Sequence, residues 1–334
     1  DYTDMLQLFL EEKTSPQLEI LIIDEAQDLS SLQWKCIEKL AQHTKELYIA
    51  GDDDQAIYQW AGADVETFIG LKGKETVLKQ SYRIPRKVHE VASGILSRIP
   101  KRNRKEKEWN PREVEGSVQF HMSHEHIDFA EEQWLVLARN SYLLNNVEAM
   151  LKQHGFLYER NNKLSVKEKL LEAISNWELL RKGSTVSIEK VRDIYTFMSV
   201  GKGVKRGHKS LSTLNNKELV SLNELKRNCG LLIDNIWHES FDRIGSTQRE
   251  YLIACLRRGE KIRRPRIKLS TIHAAKGGEA DNVLLFTDIS SKTWTELYER
   301  PDSENRAFYV AVTRTRKNLH IIQPTTSRFY SPVI

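Results

Sequence analysis

Leu21-Ile22-Ile23-Asp24-Glu25-Ala26-Gln27-Asp28 decides how the chain is read, together with Gly51-Asp52-Asp53-Asp54-Gln55 one helix later. An apolar run ending in two adjacent carboxylates is the pattern of a buried parallel strand whose carboxyl end opens onto a ligand. One carboxylate, Asp24, can hold a magnesium ion through water, and its neighbour Glu25 can orient and deprotonate an attacking water. Such a pair forms one side of a site that hydrolyses a nucleoside triphosphate. The carboxamide of Gln55, just past a second strand end, can sense a terminal phosphate or the attacking water. Tyr58 and Trp60 follow in Ala56-Ile57-Tyr58-Gln59-Trp60-Ala61-Gly62-Ala63, and their flat faces suit the stacking of unpaired bases.

Outward from this stretch the pattern alternates. Leu18–Ile23 and Leu47–Ala50 are expected as buried strands, separated by an amphipathic helix that starts near Asp28, Ser30 and Ser31 and runs to about Gln42. Short elements follow at Asp64–Leu71 (helix) and Thr76–Leu78 (strand), then a helix over Arg86–Ile99. Val118–Met122 and Trp134–Ala138 read as strands, with a helix over Leu143–His154. From about Asn162 to Arg263 the chain turns helical and strand-poor. Strands return at Ile267–Ile272 and Asn282–Thr287, followed by a helix over Ser303–Lys317 and a closing strand at Leu319–Ile322. This order predicts a helical block inserted into an α/β domain.

At 334 residues the chain can hold two or three domains. The 51 basic against 46 acidic side chains leave +5, which permits a polyanion partner without establishing one. Basic residues gather at Lys101–Lys107 and Arg257–Lys268. The first is either a solvated face or a phosphate contact; the second leads into the 270s and favours DNA proximity. The three cysteines, Cys36, Cys229 and Cys255, lack metal-ligand spacing and read as buried thiols in a reducing compartment. No apolar run is long enough to span a bilayer, and no signal peptide opens the chain, so a cytoplasmic protein away from membranes is expected.

The ordered set of motifs resembles the UvrD/Rep family of superfamily 1 DNA helicases. Leu21–Asp28 and Gly51–Ala63 look like the family's motifs II and III, and Leu78-Lys79-Gln80-Ser81-Tyr82-Arg83 like motif IV. Leu135–Asn140 resembles the strand that opens the next segment. Ser270-Thr271-Ile272-His273-Ala274-Ala275-Lys276-Gly277-Gly278-Glu279 is similar to motif V, and Glu304–Arg314 to motif VI. The resemblance implies an adenine stack at Tyr82, a terminal-phosphate contact at Arg83 and an arginine finger at Arg314. It also implies DNA-backbone contacts at Thr271, His273 and Lys276, and a ribose contact at Glu279. Arg306 is expected to support the fold or the pocket rim.

The resemblance therefore implies RecA-like parallel sheets, a partial first domain and a complete second one, with an inserted helical accessory domain. The expected boundaries are 1–80 for the first RecA-like domain, 81–162 and 263–334 for the two segments of the second, and 163–262 for the insertion. The expected activity is ATP-dependent, magnesium-dependent DNA unwinding or translocation in the 3′ to 5′ direction, on single strands and duplex junctions, in repair or replication. The alternative is a non-catalytic DNA-binding or interaction module with a degenerate helicase fold.

Several departures bear on this. Ala61 stands where the family usually has arginine, Gly278 and Ala280 replace large apolar residues, and the insertion is short. Only about twenty residues precede the Asp24–Glu25 strand, and no Gly-Lys-Ser/Thr phosphate loop occurs. Gly203–Ser210 echoes one, but His208 intrudes between glycine and lysine, and a helical region precedes it. The expectation is a fragment unable to hydrolyse ATP alone, whose missing ATPase segment lies upstream in the same chain or on another.

Overall fold

The computed structural model describes residues 1–209, 211, 214–260 and 265–333. In chain order its helices and strands are α1 (Tyr2–Glu11), β1 (Leu18–Ile23), α2 (Ser31–Ala41), β2 (Thr44–Ile49), α3 (Val65–Ile69), α4 (Arg86–Leu96), β3 (Ser117–His121) and β4 (Trp134–Ala138). Then come α5 (Asn145–Gln153), β5 (Tyr158–Arg160), β6 (Lys163–Leu164), α6 (Glu168–Arg181), β7 (Val186–Ser187), α7 (Ile188–Thr196), β8 (Leu219–Val220), α8 (Leu222–Asn228), α9 (Trp237–Ser240) and α10 (Ser246–Arg257). The chain closes with β9 (Ile267–Thr271), β10 (Ala280–Phe286), α11 (Ser291–Glu299), α12 (Pro301–Val312) and β11 (Thr315–Ile322). Two compact units result: 1–145 with 269–334, and 146–268.

The first unit is α/β. Its main sheet runs β3-β11-β10-β4-β9, and β3, β11, β10 and β4 are mutually parallel, with Val283 registered against both Leu319 and Leu135. Parallel neighbours need crossovers, and α11 and α12 supply the one between β10 and β11. Because strand side chains alternate faces, Leu135, Leu137, Val283, Leu285, Leu319 and Ile321 point one way, into a core shared with Val88 and Ile95 of α4 and Phe308 and Val310 of α12. The alternate residues Gln119, His121, Asn282, Asn318 and His320 line a polar cavity of about 390 Å³. There His121 Nε2 and His320 Nδ1 lie 2.9 Å apart.

β1 and β2 form a separate parallel pair, with Ile22 opposite Tyr48. Both strands occur, but they are not buried: Ile20, Ile22 and Tyr48 are 54%, 69% and 55% exposed. A two-stranded ribbon has one covered face, here against Ala26, Trp34, Ile37 and Phe68, and its alternate side chains must face out.

Other local expectations also change. Thr76–Leu78 forms no ladder, and Leu78 is 86% exposed. The expected helix over Leu143–His154 opens as a 3₁₀ turn, Ser141–Leu144, before α5. The helix expected to reach Lys317 ends at Val312, since Thr315 already pairs with Ala280 in the sheet.

The second unit has its own core, centred on Trp177, Tyr195, Met198 and Phe241. Trp177 Nε1 donates to the Asn235 carbonyl at 3.0 Å and Tyr195 OH to that of Cys229 at 3.1 Å, so the buried polar tips are satisfied. Its helices are accompanied by two antiparallel pairs, β5–β6 and β7–β8. All three cysteines are buried and free. Ser210 of the Gly203–Ser210 stretch, and Lys261, Arg263 and Arg264 of the basic Arg257–Lys268 stretch, lie outside the described residues. Among the described residues no helix is long and apolar enough to cross a membrane.

Candidate active site

The site grows from the ends of β1 and β2. After Ile23 the backbone of Glu25 turns left-handed (φ 51°) and enters a 3₁₀ turn, Ala26–Asp28. Asp24 Oδ1 accepts from the Glu25 amide at 2.8 Å, and Glu25 Oε2 from Gln27 Nε2 at 2.6 Å. Gln27 is fully buried, and its Oε1 accepts from the Asp52 amide at 2.9 Å, so one side chain ties the two strand ends together. Glycine is required at position 51, where a Cβ would stand 2.6 Å from Gln27 Oε1 and 2.9 Å from the Phe68 ring.

Three consecutive carboxylates follow, and burial would penalise each without a counter-ion. Arg104 donates to both oxygens of Asp54 at 2.9 and 2.7 Å. Lys107 Nζ reaches Asp52 and Asp53 at 2.5 Å, and the Lys105 amide donates to Asp53 at 2.9 Å. Burial alone would depress the Lys107 ammonium, but the carboxylates of Asp52, Asp54 and Asp53 outweigh it and hold its pKa above the usual lysine range. Lys101–Lys107 is thus neither a solvated face nor a phosphate track at its centre. Arg104 and Lys107, with side chains 17% and 16% exposed, are internal counter-ions. Arg306 backs this network from α12, is itself buried, and donates to the Asn103 carbonyl at 2.5 Å.

Asp52 also accepts from Gln55 Nε2 at 2.8 Å, which turns the other end of that carboxamide toward Arg314. Arg314 Nη2 donates to Gln55 Oε1 at 3.0 Å, and its Nε donates to the Val310 carbonyl at 3.0 Å. Burial, helped by the charge of Arg83, pulls the Arg314 pKa down to about 10, which leaves it cationic at neutral pH. Arg83 donates through Nε to Glu279, and Arg316 pairs with the same carboxylate. Lys276 Nζ donates to Asp28 Oδ2 at 2.5 Å and to the Gln55 carbonyl at 2.9 Å.

The aromatic residues divide. Trp60 and Tyr82 are 70% and 85% exposed. Tyr58 is half-buried: its hydroxyl donates to the His273 carbonyl at 2.9 Å, and its ring meets the His273 ring edge-on, as does Trp60. Burial and the nearby Arg139 push the His273 pKa down to about 4, so this imidazole is neutral at physiological pH. Thr271 Oγ1 accepts from the Ala274 amide at 3.3 Å, shaping the same loop.

The arrangement joins two distant parts of the sequence. Residues 4–75 match the UvrD/REP helicase N-terminal domain, and residues 141–326, more than half of the chain, match the UvrD-like helicase C-terminal domain. The chain belongs to the UvrD-like helicase family. Among curated relatives of this family it is similar to a probable DNA helicase II homolog of Mycoplasma pneumoniae, 27% identical over 154 residues (44% of this chain, 21% of the relative). ATP-dependent DNA helicase PcrA of Bacillus subtilis is 25% identical over 183 residues (53% and 24%). DNA helicase II of Escherichia coli is 38% identical over 81 residues (23% and 11%). The chain spans about a fifth to a third of the length of the first four relatives.

Within this UvrD-like unit, Glu25, Gln55, Arg314 and Lys276 lie in one connected group, with Tyr58, Trp60 and His273 beside it. Arg83 and Glu279 form a second group, while Asp24 and Tyr82 stand exposed. Sequence reasoning missed Gln27, Asp28, Arg104, Lys107 and Arg316. Gln27 and Asp28 lie inside the quoted motif, and their polar types at a strand end were the available signal.

Proposed function

We propose that this chain is one wall of the ATP cleft of a DNA helicase or translocase of the UvrD/Rep type, moving 3′ to 5′ on single strands and at duplex junctions. The single observation that carries the reading is the 3.0 Å hydrogen bond from Arg314 to Gln55, because it sets an arginine just past the end of α12 against the carboxamide of the turn that follows β2. Residues 1–80 would belong to the first RecA-like domain, 81–162 with 263–334 to the second, and 163–262 to the accessory insertion.

Asp24 and Glu25 offer an oxygen-only donor pair at the strand end, and no cluster of three metal-binding side chains joins them among the described residues. Magnesium in nucleotide sites takes one or two carboxylates and completes its shell with water and phosphate, so the residues fit. When bound at Asp24, magnesium would neutralise charge on the phosphate oxygens. Glu25 would orient and deprotonate water, with Gln27 fixing its carboxylate. Gln55, held by Asp52, would report the terminal phosphate to Arg314, and Arg83 would leave Glu279 to meet that phosphate. Tyr82 would stack on adenine and Glu279 would accept from the ribose. Trp60, Tyr58, Thr271 and His273 would face the DNA strand.

The chain alone should turn over ATP no faster than its Glu25→Gln variant, since its sequence holds no Gly-Lys-Ser/Thr phosphate loop. A colorimetric phosphate-release assay with and without single-stranded DNA tests this. Robust turnover that Glu25→Gln abolishes would overturn the fragment reading.

A further inference from the structure

The family pattern puts Lys276 among the DNA-backbone contacts, yet its ammonium is already engaged by groups of this chain. Nζ donates to Asp28 Oδ2 at 2.5 Å and to the Gln55 carbonyl at 2.9 Å, and stands 3.6 Å from Glu25 Oε2. It also lies 5.3 Å from the Tyr58 ring centroid, and the side chain is only 9% exposed. An ammonium has three protons to direct. Two are spent on Asp28 and Gln55, and the Glu25 carboxylate stands 3.6 Å away as an ion-pair partner. Nothing remains for a phosphate unless these contacts break. Breaking them would strand Asp28, whose Oδ1 is already buried without a partner.

We infer that Lys276 is a positioning residue, a clamp between the Ala26–Asp28 turn and the Gln55 loop, and not a DNA-phosphate contact. The two segments it joins are sequence-distant from each other and from the lysine. Asp28 follows β1, Gln55 follows β2, and Lys276 sits five residues beyond Thr271, at the end of β9. The clamp fixes the distance between the acid that would activate water and the carboxamide that would sense phosphate. It mounts both on the loop that carries His273, so a shift of that loop is passed to both groups. The consequence for hydrolysis rests on the function proposed above; the clamp itself does not.

Two measurements on the chain as it stands test the clamp. In the first, lysines are acetylated under limiting reagent and read by mass spectrometry, with and without a single-stranded oligothymidine. A clamped Lys276 reacts far more slowly than exposed Lys292, and DNA leaves its rate unchanged. A Lys276 that reacts as Lys292 does when free and is protected by DNA overturns the proposal. This arm needs no variant to fold, and the rate in free protein is informative even if the chain binds no DNA.

The second arm is anisotropy of the labelled oligomer across salt. Lys276→Met should leave affinity within about two-fold and the salt slope unchanged, whereas loss of one phosphate contact lowers the slope by about 0.7. In thermal melts, Lys276→Met and Asp28→Asn should each lower the midpoint, and the double variant should fall no further than the worse single. A lowered slope, or additive midpoint shifts, refutes the clamp. No DNA binding by the parent chain refutes the functional reading instead.

Discussion

Replacing Lys107 by methionine isolates the network beneath the Gly51–Gln55 turn. The substitution keeps much of the side-chain volume and removes one ammonium that serves three carboxylates, Asp52 and Asp53 at 2.5 Å and Asp54 at 3.2 Å. Asp53 and Asp54 are 1% exposed, so water cannot replace the lost partner. Removing one member of a buried ion pair costs about 3–5 kcal/mol, and the bidentate Arg104–Asp54 contact places the expected loss toward the lower end, about 3 kcal/mol. Urea unfolding followed by tryptophan fluorescence and circular dichroism reads this directly.

The pH dependence carries a sign. In the parent protein burial works against ionised Asp52, but Lys107 and the hydrogen bond from Gln55 hold its pKa below the usual carboxylate value. That contribution is present above the unfolded-state pKa and is lost as pH falls through the folded one. Without the ammonium, burial raises the Asp52 pKa instead, so the variant's deficit is largest near neutrality and shrinks as pH falls toward the carboxylate range. A deficit below about 1 kcal/mol, or one that grows on acidification, would refute the assignment of Lys107 as the counter-ion of this turn.

Trp60→Ala should weaken single-strand binding by about 1–3 kcal/mol at matched salt without shifting the thermal midpoint, and unchanged anisotropy would count against stacking. His320 lies 9% exposed against His121, and burial foremost drives its pKa to about 4. The folded state therefore excludes a proton that the unfolded state accepts, so stability holds above about 6.5 and declines as pH falls from there toward 4. His320→Gln should remove about 2–3 kcal/mol of that decline in urea titrations at pH 7 and pH 4.5; parallel pH profiles would contradict it.

The fold class was legible because its signals are local: apolar runs of strand length, helix caps such as Ser30, and strand-end acids. Burial was not. Ile20 and Ile22 read as core because an apolar strand is usually covered on both faces, and a sequence does not record how many strands flank it. Thr76–Leu78 had the composition of a strand but finds no neighbour to pair with. In the site, Glu25, Gln55 and Arg314 were legible from type and order, and the structure brings them into one group. The partners of charged residues were not legible. Arg104 and Lys107 look like a surface run until Asp52–Asp54 are placed against them, 50 to 55 residues away in the chain. Lys276 reads as a cation for DNA until Asp28 is found at its tip, 248 residues away. Pattern carries residue type and spacing; long-range charge pairing depends on the fold.

The most direct test of the central claim is single-strand-stimulated ATP hydrolysis by the protein expressed from its whole reading frame, with and without Glu25→Gln. If Glu25 activates the attacking water, the substitution lowers kcat by at least about 10²-fold while oligothymidine affinity stays within about two-fold. Hydrolysis that survives Glu25→Gln at near-parent rate would contradict the account.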